Sequence, residues 1–245
     1  MTRQLPLDLG HDPRYGDEDF LESPSNAAAL AMIRLWPGWP NRMLLLTGPE
    51  GAGKTHLGAI WARRAHAGRL VAADLTPESL PTIAAQPAVW LEDADSSGLD
   101  EKLLFHLLNM LAERSAFLLV TARRPADHWG LATADLLSRL RRAPHVAIEA
   151  PDDSLMRSVL VKLFFDRQVL VDENVIEFLA LRLDRSLGAA QKIVAALDRE
   201  GLARGRAITR PMAGALLQVI AQSGGLAECD FQAFANEEIR SDEDA

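Results

Sequence analysis

The chain has 245 residues, 26 Lys+Arg against 34 Asp+Glu, 48% hydrophobic residues and a single cysteine. That cysteine, Cys229, excludes an internal disulfide and leads to the expectation of a reducing, cytoplasmic setting. A net charge of −8 weighs against a protein whose main work is coating DNA. The longest apolar runs (27–33 and 116–122) fall short of the ~18 residues a membrane span needs, and the acid-rich start lacks the apolar core of a secretory signal.

The acidity belongs to the ends. Residues 1–24 set Arg3 and Arg14 against six acids, and residues 226–245 set Arg240 against seven, so the stretch between them is near neutral. The first two dozen residues carry Pro6, Gly10, Pro13, Gly16 and Pro24 without periodicity, which predicts an extended arm. Ser25-Asn26 then opens a helical pattern that runs to Trp36 and closes at Pro37-Gly38-Trp39-Pro40.

Short apolar runs follow at Met43–Thr47, Leu70–Ala73, Val89–Glu92, Phe117–Thr121 and Val146–Glu149, each the length of a buried strand. Helical patterns lie between them near 54–67, 78–85, 100–114 and 133–142. The alternation predicts a five-stranded parallel sheet covered on both faces. After Pro151 only helical periodicity remains, over 152–166, 172–183, 187–203 and 210–222, with Asp152 and Asp172 where helix-starting acids belong. The expected organisation is an arm over 1–17, an α/β domain over 18–150, an all-helical domain over 151–224 and an acidic tail over 225–245.

The chemistry is concentrated in Gly48-Pro49-Glu50-Gly51-Ala52-Gly53-Lys54-Thr55, which matches G-x-x-x-x-G-K-[ST] between a predicted strand and a predicted helix. Glycines there let backbone N–H groups curl around phosphate, and the helix N-terminus adds partial positive charge. Lys54 would reach the β- and γ-phosphates, the Thr55 hydroxyl would ligate Mg²⁺, and His56 follows at the α-phosphate. Asn-Lys-x-Asp, which reads guanine, does not occur, so the nucleotide expected is ATP or ADP. The metal-holding acids are expected to end the strand next to the loop strand, and Glu92 and Asp93, closing the 88–92 run, are the candidates to hold Mg²⁺ and to position water. Asp95 reads as a loop residue. The six histidines are scattered, which points to no other metal. The stripe of Leu103, Leu104, Leu107, Leu108 and Leu111 reads as core.

In order and motif the chain resembles the AAA+ ATPases, and within them the replication initiator family typified by DnaA, over roughly residues 18–220. Phe20-Leu21-Glu22-Ser23-Pro24-Ser25-Asn26 resembles the segment with which that family wraps adenine, which implies nucleotide contacts at Phe20, Leu21 and Asn26. Leu118–Pro125 is similar to its sensor I strand and turn. Asp135-Leu136-Leu137-Ser138-Arg139-Leu140 resembles the segment bearing its arginine finger, which makes Arg139 that finger.

Length separates the branches of this family. Little chain follows residue 222 besides the acidic tail, so a helix-turn-helix DNA-binding domain and direct sequence-specific DNA binding are not expected. The resemblance then narrows to regulators of the Hda type, which inactivate the initiator by promoting hydrolysis of its bound ATP. Gln4-Leu5-Pro6-Leu7-Asp8-Leu9 is similar to the peptide by which replication proteins dock on the sliding clamp, the β subunit of DNA polymerase III. Its side chains Gln4, Leu5, Leu7 and Leu9 would fill the clamp's pocket. The partners implied are DnaA and the clamp, without a membrane, and a homodimer is an assembly the reading admits.

Three positions depart from the family pattern. Glu92 stands where an Asp is usual, the sensor I position falls on Ala122 or Arg123, and the sensor II position falls on Gly188 within Arg185–Ala190. Arg182, Arg185 and Lys192 are the alternatives in neighbouring turns. The resemblance with these departures implies tight nucleotide binding, weak intrinsic hydrolysis and catalysis supplied in trans.

Overall fold

The computed structural model describes residues 16–222. The chain divides into two compact units, one closing at Pro151 and the other opening at Asp152.

The first unit is built on five strands: β1 (Met43–Thr47), β2 (Gly68–Val71), β3 (Ala88–Glu92), β4 (Phe117–Ala122) and β5 (His145–Ala147). They lie side by side in the order β2-β3-β4-β1-β5, and every pairing is parallel. Five helices connect or cover them: α1 (Ala27–Arg34), α2 (Lys54–Ala65), α3 (Leu80–Ala84), α4 (Glu101–Glu113) and α5 (Ala134–Arg142).

Strand alternation sorts the apolar side chains into two cores. Leu44, Leu46, Ala88, Trp90 and Leu119 pack with α1 and α2 on one face. Leu45, Val89, Leu91, Leu118 and Val120 pack with α3, α4 and α5 on the other. Leu104, Leu107, Leu108 and Leu111 of α4 belong to that second core, as the stripe predicts, while Leu103 packs at its margin. The central strands are buried on both sides, which is why they read as continuous apolar runs.

β3 and β4 differ from their apolar runs by one residue each, and two strands differ by more. β2 starts at Gly68-Arg69, and Ala72–Asp74 turn away as a short 3-10 segment. As an edge strand it tolerates a charged residue that a search for buried runs passes over. β5 ends at Ala147: Ile148 makes the last N–H bond to β1, at the Thr47 carbonyl, and Glu149 turns away to the Ser25 carbonyl. The helix expected from 78 begins at Leu80, since Thr76 and Ser79 exchange side-chain bonds with each other's N–H at 2.9 and 3.2 Å and hold a turn before it.

The second unit contains α6 (Asp153–Asp166), α7 (Glu173–Ala180), α8 (Leu187–Arg204) and α9 (Arg210–Gln222). Its core joins Met156, Leu160 and Phe164 to Val175, Leu179, Ile193, Leu197 and Leu216. The Asp152 carboxylate caps α6 by accepting from Leu155 N–H at 2.8 Å. Asp172 takes the N-cap of α7 without a side-chain bond to the helix, and Ser186 caps α8 through Ala189 N–H at 3.3 Å.

Candidate functional site: a phosphate loop and its acidic partner

The loop from Gly48 to Gly53 joins β1 to α2 at the C-terminal edge of the sheet, next to β4. Gly51 and Gly53 have φ of 72° and 107°, conformations that a side chain would strain. Gly48 is required for a second reason: a Cβ there would lie 2.5 Å from the Ile148 carbonyl oxygen. Among the described residues no side chain caps α2, so the helix presents its N-terminal N–H groups and partial charge to the loop.

Lys54 is buried within this loop. Its ammonium donates to the carbonyl oxygens of Gly48 at 2.7 Å and Pro49 at 2.8 Å, so the loop curls around its own cation. Burial holds Lys54 below the ordinary lysine pKa; Asp93 acts against that, and Arg123 adds to it. A phosphate oxygen is the natural replacement for the two carbonyls, because it pairs the buried charge as well as its hydrogens.

The next residue, Thr55, donates its hydroxyl to Glu92 Oε1 at 2.7 Å. Glu92 ends β3, which β4 separates from the loop strand β1 rather than lying next to it as expected, and it is 6% exposed. Its other oxygen accepts from Arg69 Nε at 2.9 Å and Nη2 at 2.5 Å. Asp93 follows with φ of 54°, a left-handed turn that Asp tolerates, and is exposed beyond the strand end.

On the neighbouring strand, Thr121 accepts the Trp90 indole N–H at 3.2 Å, Ala122 is fully buried, and Arg123 pairs with Glu50 of the loop at 3.0 Å. Asp95 has a larger structural part than its loop position suggests: its carboxylate accepts the N–H groups of Arg123 and Arg124 at 2.9 and 3.2 Å and fixes the turn after β4.

The lead-in segment reaches the same helix. The ring of Phe20 stands edge-on to His56 with centroids 5.2 Å apart, and His56 Nε2 bonds the Gly16 carbonyl at 2.9 Å. Asn26, 2% exposed, accepts from Ser23 N–H and donates to the Leu21 carbonyl, both at 2.9 Å, so its amide shapes this segment from within.

Arg139 lies on α5, whose start is held by Glu101 of α4 through the N–H groups of Ala132 and Thr133. Its guanidinium bonds Asn109 Oδ1 at 2.5 Å and Asp135 at 2.9 Å and lies 5.0 Å from the Phe105 ring centroid. It therefore engages α4 and its own helix rather than the phosphate loop, and about a third of its side chain stays exposed.

The structure thus gathers Gly48–His56, Glu92, Asp93 and Phe20 around one loop and leaves Arg139 at a separate surface. Gly188 sits in the first turn of α8 in the helical unit. Gln4, Leu5, Leu7 and Leu9, like Cys229 and the acidic tail, lie outside the described residues. Sequence reasoning missed Arg69, which lies before the apolar run assigned to its strand. The signal that could have found it is strand register: Arg69 pairs with Trp90, and Trp90 and Glu92 share a face.

No family model matches the chain. Among curated proteins it is similar to the chromosomal replication initiator protein DnaA 2 of Chlamydia caviae, 26% identical over 207 residues that cover 73% of this chain and 45% of that protein. The chain spans about half the length of this relative. Among solved structures it is similar to domain III of the Thermotoga maritima replication initiation protein DnaA, with a TM-score of 0.74 and 19% identity over 84% of this chain and 97% of that one. AMPPCP-bound DnaA from Aquifex aeolicus gives 0.65 and 19% over 86% and 73%, and the Thermotoga maritima RuvB Holliday junction branch migration motor gives 0.67 and 15% over 84% and 72%. The five-stranded parallel sheet with its flanking helices is an AAA+ P-loop NTPase fold of the kind found in domain III of DnaA and in RuvB.

Proposed function

We propose that the chain is an adenine-nucleotide-binding negative regulator of replication initiation. It docks on the sliding clamp through Gln4, Leu5, Leu7 and Leu9 and stimulates ATP hydrolysis by DnaA through Arg139 in trans, in the cytoplasm. The nucleotide part is carried by one observation, the Thr55–Glu92 bond beside the buried Lys54. The likeness to an AMPPCP-bound DnaA supports an adenine nucleotide as the ligand.

The Thr55 hydroxyl and the Glu92 and Asp93 carboxylates are of the hard oxygen type that Mg²⁺ takes, but Thr55 and Arg69 already engage both oxygens of Glu92, which leaves a poor fit for the ion. The chain's own residues do the binding: the loop N–H groups and Lys54 bind phosphate, Thr55 and Glu92 orient one another, and Phe20 with His56 walls the lead-in segment.

Weak intrinsic hydrolysis is supported by three features. Ala122 offers no polar group at the sensor I position, Arg123 is engaged with Glu50, and Gly188 has no side chain. Catalysis is then exercised on a partner's nucleotide. An arginine finger contributes roughly 10³–10⁵ in rate, and Arg139 is partly exposed on a helix anchored at its start by Glu101.

A second reading, an autonomous AAA+ ATPase such as a helicase loader, is favoured by the intact Thr55–Glu92 pair with Asp93 close enough to act on Lys54. One experiment tests both. DnaA ATP turnover is measured with this protein, clamp and DNA, each omitted in turn. Stimulation should need all three, and Arg139→Ala should lower it about 100-fold or more. Alanine at Gln4, Leu7 and Leu9 together should abolish clamp pull-down without changing nucleotide affinity. Brisk turnover by this chain alone, or full stimulation by the Arg139 variant, overturns the regulatory reading.

A further inference from the structure

Glu92 has no free oxygen: Oε1 is taken by the Thr55 hydroxyl and Oε2 by two nitrogens of Arg69. The guanidinium is itself fixed, lying 4.7 Å from the centroid of Trp90, an indole that is 1% exposed and bonded to Thr121. Register explains the convergence. Arg69 is the β2 partner of Trp90, and Glu92 lies two residues further along the same face of β3. A permanent cation thus sits against the buried carboxylate expected to serve a divalent ion, and guanidinium stays charged at every physiological pH.

Two consequences follow from elementary electrostatics. Arg69 neutralises much of the field that Glu92 would offer a divalent cation, and it repels that cation directly. It also holds Glu92 so that the bond to Thr55 persists without any metal. Asp93 is no equivalent substitute for Glu92, because it is exposed beyond the strand end.

We infer that Arg69 is a positioning residue that locks Glu92 onto Thr55, and that adenine nucleotide binds here with little dependence on Mg²⁺. This rests on the nucleotide-site reading above. Phosphate recognition then falls to the loop N–H groups and Lys54, which need no divalent ion to act.

The test is the dissociation constant of a fluorescent ADP, measured on the full chain in excess Mg²⁺ and in excess EDTA. The unaltered protein should show values within about threefold of each other. Arg69→Met, which keeps an apolar stem over Trp90, should widen the ratio to about tenfold or more by freeing Glu92 for the cation. Arg69→Lys, which keeps the charge, should fall close to the unaltered ratio, and this variant also serves if the methionine variant does not fold. A merely structural role would shift both constants together and leave the ratio unchanged; that result overturns the inference, as does a large ratio in the unaltered protein. Absence of ADP binding by the unaltered protein in both media overturns the nucleotide reading and the inference with it.

Discussion

Gly58 provides a sharp test of how the phosphate loop is held to the sheet. It lies in α2 one turn beyond Lys54 and Thr55, where the helix presses on β3. A Cβ at this position would sit 2.9 Å from Trp90 Cη2 and nearer still to Cζ2 and Cε2. Alanine in a helix interior is worth about 1 kcal/mol over glycine. Overpacking a tight core costs about 1–3 kcal/mol. The upper end applies here, because Trp90 cannot swing: it is 1% exposed, its N–H is bonded to Thr121 and Arg69 covers its face. The net expectation for Gly58→Ala is a loss of about 2 kcal/mol, or a Tm lower by roughly 4–8 °C for a chain of this size. Relief by moving α2 would separate Thr55 from Glu92, so ADP affinity should fall as well. The control is Gly188→Ala in α8, where the nearest atom to a new Cβ is Ser186 Oγ at 3.6 Å. There propensity should win and the Tm should hold or rise. Thermal unfolding and ADP titration on both variants decide it. Equal behaviour of the two would refute the claim that α2 is clamped against Trp90.

Other expectations concern charge and caps. Lys54→Met should weaken ADP binding about 10–100-fold, as expected for a charge-assisted bond worth about 1.5–3 kcal/mol, read by the same titration. Burial depresses the Lys54 pKa, so the folded state gives up this proton before the unfolded chain does. Stability should therefore rise with pH in the alkaline window below the ordinary lysine value, and the Met variant should lose that rise in pH-dependent denaturation. Asp152→Ala should cost about 1 kcal/mol by removing the cap of α6. The Asp152 carboxyl is held below its ordinary value by the Ser154 hydroxyl and Leu155 N–H. Its contribution is then present above the carboxylate range and lost as pH falls through the depressed value, which acid titration of the two proteins should show.

Sequence periodicity located the central strands because they are buried on both faces, so that burial and apolarity coincide along their whole length. It was least accurate at the edges. β2 contains Arg69 and β5 starts at an exposed histidine, and there hydrogen bonding rather than burial defines the strand. Helix starts followed their caps where a side chain supplies one, as at Asp100, whose carboxylate accepts from Lys102 and Leu103 N–H at 2.8 and 3.2 Å. The start at Leu80 was displaced by the Thr76–Ser79 turn, a local competition that apolar spacing does not register.

The site divides in the same way. Gly48 to Thr55 is legible because contiguous residues make the cradle and the motif encodes its backbone. Of the partners drawn from other strands, Glu92 is marked by its place at a strand end, whereas Arg69 is not legible without register. That Glu92 meets Thr55 follows from β3 lying on the far side of β4 from β1, and that Arg69 meets Glu92 follows from which residue of β2 faces Trp90. Shifting β2 by one residue would turn Arg69 to the opposite face and leave Glu92 with one engaged oxygen. Glu92 is therefore better understood with its neighbour than alone. One carboxylate bridges Thr55 and Arg69 at hydrogen-bonding distance on both sides, and it is this pair, rather than the single residue, that stands beside the loop.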